Sequence, residues 1–319
     1  MKNKVSIKRL NLLISKRCNL HCRMCDYRLG SLFTKELTID QIKDLIHDAV
    51  DLGLEQLELS GGEPMLYKDI YKVIEYGKSF GLKIMMMTNG VLIGEDEVEK
   101  LVFSGLQGVV ISLEGFEEIN DKIRGLGNYE KAINAIKGFQ KQKKHMDFIK
   151  VGITISQYNY RQLFSFTKYL FEKLGISCFS YNPFNKEMLH KANFLKREEE
   201  FIIPPDSLSE LEEEIEKIID YSKSVNLDIP NTNFLRKIPN YFTNEVVVPE
   251  RGCTVPLNGC SVDASGKVYA CWGEPVVTGD LTETSLQNII NSAKYQTQCE
   301  RALKRLWRGC LTACYTDIH

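Results

Sequence analysis

The chain lacks almost any net charge. Its 41 Lys and Arg face 42 Asp and Glu, leaving −1 at pH 7 and a pI near 6.6. That excludes an electrostatic case for nucleic acid or an anionic membrane as a standing partner. The lysine-rich run Lys141–Lys144 then reads as a solvated helix face. Long hydrophobic runs are missing too: none approaches the ~18 residues of a membrane span. The N-terminus, Met1-Lys2-Asn3-Lys4, passes into a short mixed run rather than an unbroken apolar stretch. No secretory signal is read there, so the expectation is a cytoplasmic protein without a membrane partner. There is no internal repeat or low-complexity tract. Tryptophan is scarce, with two in 319 residues.

What the chain does have is ten cysteines. Cytosolic thiols stay reduced, so metal or redox use is favoured over disulfides. Cys18, Cys22 and Cys25 form one group, spaced C-x3-C-x2-C in the polar stretch Ser15–Gly30. Cys253, Cys260, Cys271, Cys310 and Cys314 form a second, and Cys178 and Cys299 stand alone. Three thiols this close on one loop can reach a single metal centre, and thiolates suit iron–sulfur clusters or zinc. A cubane 4Fe–4S cluster held by three cysteines leaves one iron open to another ligand. Zinc takes four protein ligands in a structural site, or three and a water in a catalytic one.

The triplet closes a first apolar strand and is followed by Gly61-Gly62-Glu63-Pro64. Together these motifs resemble the radical S-adenosylmethionine (radical SAM) superfamily, over about Ser6 to Asn182. Met24 stands where the family often has an aromatic residue, and can still contact an adenine ring. The resemblance implies that S-adenosylmethionine chelates the open iron through its amine and carboxylate. An electron from the reduced cluster would then break the sulfonium bond and release a 5′-deoxyadenosyl radical, with a reductant such as flavodoxin or ferredoxin as source.

Strands and helices alternate along this region. Strands are expected at 6–14, 54–59, 82–87, 108–113, 148–156 and 176–181. Helices are expected at 38–51, 70–80, 95–103, 129–143 and 161–174. Such alternation implies right-handed crossovers and a parallel α/β sheet. Six units are too few for an eight-stranded barrel, and the resemblance implies a partial (β/α)6 TIM-like barrel. Every motif falls at the carboxyl end of a strand, where ligands sit in such folds. Expected boundaries are 1–184 for the barrel, 185–250 for a bridging segment with an acidic helix at 208–225, and 251–319 for a small α+β module.

The remaining cofactor positions follow the resemblance. Gly61 and Gly62 let backbone approach a ligand, Pro64 fixes the turn, and Glu63 accepts from the methionyl amine. Asn89, in Thr88-Asn89-Gly90, would bond the ribose or carboxylate. Ser112, in Ser112-Leu113-Glu114-Gly115, would contact the ribose, with Glu114 where the family has Asp. Arg124 would bind the cofactor carboxylate, and Ile153 would edge the adenine.

Cys253, Gly266 and Cys271 are spaced C-x12-G-x4-C across a hairpin turning at Ser265-Gly266, and Cys310-x3-Cys314 follows. This resembles the SPASM/Twitch auxiliary-cluster modules of radical SAM enzymes, with a helix at 285–292. The cysteine shortfall points to the Twitch type, with one auxiliary 4Fe–4S cluster. Its expected ligands are Cys253, Cys271, Cys310 and Cys314. Cys260 replaces Cys310 or serves as a hydrogen-atom donor, a role also open to Cys178. A four-cysteine zinc knuckle is the alternative. The expected function is a radical SAM enzyme acting on a small, sugar-like substrate or on a peptide delivered by a partner, since the barrel begins almost at residue 1. The other class is a non-catalytic iron–sulfur carrier or sensor.

Overall fold

The computed structural model describes residues 5–25, 35–184, 198–243 and 252–304. Six strands make the first part of the sheet: β1 Arg9–Ser15, β2 Gln56–Gly61, β3 Lys83–Thr88, β4 Gly108–Ser112, β5 Phe148–Ile155 and β6 Cys178–Pro183. They run parallel in sequential order. Between them lie α1 Ile39–Asp51, α2 Ile70–Ser79, α3 Glu95–Ser104, α4 Glu117–Arg124, α5 Asn128–Lys141 and α6 Leu163–Leu174.

Alternation along β1 explains the layering. Leu10, Leu12 and Ile14 are fully buried on one face, while Asn11 between them is half-buried on the other. The buried face meets the helices, each apolar side chain contributing about 1.5–3 kcal/mol. Thr38 and Gln41 cap α1 reciprocally, at 3.3 and 3.0 Å, as a capping box does. The opposite face of the sheet is polar: Asn11, Gln56, Glu58 and Ser60 hydrogen-bond along it.

The C-terminal part comprises α7 Leu208–Val225, α8 Thr232–Tyr241, α9 Val255–Asn258, β7 Gly259–Val262, β8 Lys267–Cys271, β9 Glu274–Asp280, α10 Leu286–Asn291 and α11 Ala293–Leu303. β7 pairs in parallel with β1, so the expected hairpin extends the barrel sheet instead of forming a separate one. The other sheet edge meets the segment after α7. Asn226, left-handed at φ 55°, turns the chain so that Asp228 bridges Cys178.

Five of the labelled elements were not expected from the sequence: α4, α8, α9, β9 and α11. α4 is short and largely polar, with Asn120 and Ile123 its buried residues, so it offers little apolar sequence to read. Pro239, a residue disfavoured inside helices, lies within α8, yet Phe234, Leu235 and Ile238 bury one face and Asn231 caps it. No helix among the described residues is long and apolar enough to cross a membrane.

Candidate active site

The two N-terminal motifs are fused by backbone. Gly62 N donates to Ser15 O at 2.7 Å and Glu63 N to Arg17 O at 2.8 Å, extending the β1–β2 ladder into the cysteine loop. A Cβ on Gly61, at φ 140°, would lie 2.3 Å from Ser15 O, and one on Gly62 2.3 Å from Arg17 O. The glycines are therefore required by the approach of one loop to the other. Pro64 opens a 3₁₀ turn that Glu63 caps. Arg17 fastens the loop further, donating to Glu36 Oε2 at 2.9 Å and Leu66 O at 2.8 Å.

Glu63 is fully buried. It accepts from Thr88 Oγ1 at 2.7 Å, Asn89 N at 2.9 Å and Met65 N at 3.3 Å. Burial raises its pKa, and these hydrogen bonds oppose the rise. Its carboxylate thus joins the ends of β2 and β3. Asn89 likewise faces the cysteine loop: its amide donates to Asn19 Oδ1 at 2.9 Å and lies 3.9 Å from Cys18 Sγ.

Arg124 ends α4. It forms a buried ion pair with Glu114, its Nε donating at 3.0 Å, and its Nη1 lies 4.0 Å from Cys22 Sγ. Glu114 also accepts from Thr154 N at 2.7 Å, and Asn159 holds the Glu114 carbonyl at 2.7 Å. The longer carboxylate at the family's Asp position therefore spans from β5 to Arg124. Ser112 ends β4 half-buried, and Ile153 is buried in β5. Met24 packs against Ile123, Phe184 and Phe201. Sequence reasoning gave Thr88 no role beyond its place in Thr88-Asn89-Gly90 and missed Asn19, Thr154 and Asn159, which act through contacts between strand ends.

Cys18, Cys22 and Cys25 lie on this loop at the carboxyl end of β1, with none of the described cysteines in a disulfide. Burial pushes the thiols of Cys18 and Cys22 up. Leu20 N donates to Cys18 Sγ at 3.4 Å, and Asn89 and Arg124 bring further N–H donors near the sulfurs. Cluster sulfurs are tuned by such donors, so these residues fit a sulfur-ligated cluster. Among the described residues, no three His, Cys, Asp or Glu side chains converge as ligands of a single ion. A cubane holds its thiolates further apart than one zinc does.

In the C-terminal part, Cys271 ends β8 and accepts from Gly273 N at 3.3 Å. Cys253 N donates to Ala302 O at 3.0 Å. Cys310 and Cys314 lie outside the described residues. Cys260 corrects an expectation: it pairs beside Leu10 on the helix-facing side, inside the hydrophobic core, its thiol pushed up to about 12 by burial. That is the setting of an inert structural cysteine, not of a hydrogen-atom donor or a ligand. Cys178 opens β6, and its thiol donates to Asp228 Oδ2 at 2.7 Å. Burial and Asp228 push that thiol up to about 12.

Residues 12–162 match the radical SAM superfamily. These residues form a radical SAM domain. Residues 253–316 match the SPASM iron–sulfur cluster-binding domain. The two domains together imply 4Fe–4S clusters and S-adenosylmethionine binding. It is 26% identical to an AdoMet-dependent heme synthase of Methanosarcina barkeri, over 87% of this chain and 80% of that protein. It is 29% identical to a mycofactocin maturase of Mycolicibacterium smegmatis, over 47% of this chain and only 38% of that one. In fold it is similar to Streptococcus suis SuiB bound to the precursor peptide SuiA, with a TM-score of 0.71 at 18% identity, covering 98% of this chain and 71% of that one. The shared fold is the expected partial barrel with its C-terminal cluster module.

Proposed function

We propose that Cys18, Cys22 and Cys25 hold the radical SAM cluster and that the enzyme abstracts a hydrogen atom from a peptide substrate. The single observation that carries this is the fusion of the cysteine loop with the Gly61–Pro64 turn, which joins three thiols to the carboxyl ends of β1, β2 and β3. When bound, the cluster supplies the electron that cleaves S-adenosylmethionine. The chain's own residues do the rest. Asn89 orients the loop beside Cys18. Arg124, its charge balanced by Glu114, stands next to Cys22 and offers a cation at the cofactor's carboxylate end. Ser112 and Ile153 border the nucleoside.

Cys253 and Cys271, with Cys310 and Cys314, would hold one auxiliary cluster as an electron acceptor in a Twitch-type arrangement. The peptide reading draws support from the mycofactocin maturase likeness. The alignment with a heme synthase, which spans most of both chains, favours a second reading: a tetrapyrrole. The protein would work in the cytoplasm with a flavodoxin or ferredoxin as reductant. The test is anaerobic reconstitution with S-adenosylmethionine and dithionite, followed by mass spectrometry. The peptide reading expects 5′-deoxyadenosine coupled to a mass change in a peptide. Coupling to a tetrapyrrole or a sugar instead would reassign the substrate. Intact clusters without 5′-deoxyadenosine would point to an electron carrier.

A further inference from the structure

The stretch shortly before α7 is strapped onto the cysteine loop. Glu200 Oε2 accepts from Arg23 Nη2 at 2.6 Å and from Tyr158 Oη at 3.4 Å. Arg23 lies between Cys22 and Cys25, 177 positions before Glu200. Its guanidinium carbon stands 5.5 Å from the centre of the Tyr158 ring, and Lys122 Nζ stands 4.9 Å from it. A ring face attracts such cations. Backbone fixes the strap too: Gln157 N donates to Phe201 O at 3.1 Å, and the Gln157 side-chain amide donates to Glu200 O. Phe201 is fully buried, stacks on Phe184 just past β6 with ring centres 4.9 Å apart, and meets Tyr158 at 5.2 Å. Met24, next to Arg23, packs against this apolar group. Arg23 N also donates to Ile123 O, in α4, at 2.8 Å.

We propose that Glu200 is a positioning residue for S-adenosylmethionine: by holding Arg23 it sets Met24 against Phe201, and so fixes an apolar wall beside the adenine. The role rests on the reading above that this loop carries the radical SAM centre, with Met24 at the nucleoside. Arg23 and Glu200 are 36% and 39% exposed, where an ion pair adds little to folding stability. What the pair does is local. It joins the cysteine loop to a distant stretch of chain and restricts the backbone of the residue that follows Arg23. Without it the thiols, the sheet and the core keep their own contacts, while Met24 loses the neighbour that orders it.

The test uses the full-length protein reconstituted anaerobically with iron and sulfide, with S-adenosylmethionine binding read by isothermal titration calorimetry alongside iron per chain. For Glu200→Ala, the expected result is parental iron, thermal unfolding of the metal-free protein within about 2 °C of the parent, and S-adenosylmethionine binding weakened about threefold to tenfold. In turnover with dithionite, KM for S-adenosylmethionine should rise in step, and kcat for 5′-deoxyadenosine should stay within about twofold. Arg23→Ala should weaken binding at least as much. The double variant should bind no more weakly than Arg23→Ala, since both substitutions remove one contact. Unchanged affinity in Glu200→Ala, or losses that multiply in the double variant, overturns the proposal. So does loss of iron together with affinity, because the pair would then hold the cluster rather than the nucleoside. A parent protein that takes up iron but binds no S-adenosylmethionine removes the radical SAM reading itself, and this role with it.

Discussion

Gly62 and Arg124 show two ways in which a single residue holds this site. A Cβ on Gly62 would sit 2.3 Å from a backbone oxygen of the cysteine loop, which no rotamer change can relieve. Gly62→Ala should therefore displace the loop, costing more than about 2 kcal/mol. Thermal unfolding of the metal-free protein should fall, and reconstitution should recover less iron per chain. Arg124 and Glu114 are a buried pair, so removing one charge strands the other. Arg124→Leu should cost about 3–5 kcal/mol in urea unfolding, more than loss of an exposed pair such as Arg161–Glu210. At this scale the sequence named residues more readily than their partners. Glu63, Asn89 and Arg124 are legible from motifs. That their side chains are engaged by Thr88, Asn19 and Glu114 depends on which strand ends the sheet brings together. No local pattern encodes that.

The turn between β7 and β8 ties the C-terminal part to the cysteine loop. Asp263 there accepts from Ser265 and Lys267, and pairs with Lys16 Nζ at 2.9 Å, two residues before Cys18. Burial alone would raise its pKa, but the Lys16 and Ser265 hydrogen bonds outweigh burial and hold it below the usual carboxylate range. A folded value below the unfolded one gives stability that is present above the unfolded pKa and lost as pH falls through the folded value. Asp263→Asn should therefore cost about 1–3 kcal/mol at neutral pH, and the deficit should start to shrink as pH falls below about 4 and vanish only below the folded value of Asp263. Urea unfolding of both proteins at several pH values checks this. The hairpin's existence was readable from Ser265-Gly266 and alternating apolar residues. Its pairing with β1 was not, because parallel pairing between distant segments leaves no turn to read.

Over the whole molecule, the order of strands and helices was largely legible, since each strand and helix carries its own hydrophobic period. The expectation of Cys260 as a ligand or hydrogen-atom donor met a buried core thiol, because spacing alone does not say which face of β7 it takes. Packing does: Cys260→Ala should leave iron per chain unchanged and lower stability by about 1–2 kcal/mol, whereas Cys271→Ala should lose the iron of one cluster. The account stands chiefly on the claim that three thiols of the N-terminal loop hold a cluster whose open iron takes the nucleotide. Electron paramagnetic resonance of the reduced protein with S-adenosylmethionine isotopically labelled at its amine and carboxylate tests this directly. The account predicts hyperfine coupling from both labelled groups, abolished when Cys18, Cys22 and Cys25 are all replaced by alanine. A labelled cofactor that binds without coupling, or binds equally well to the triple variant, would contradict it.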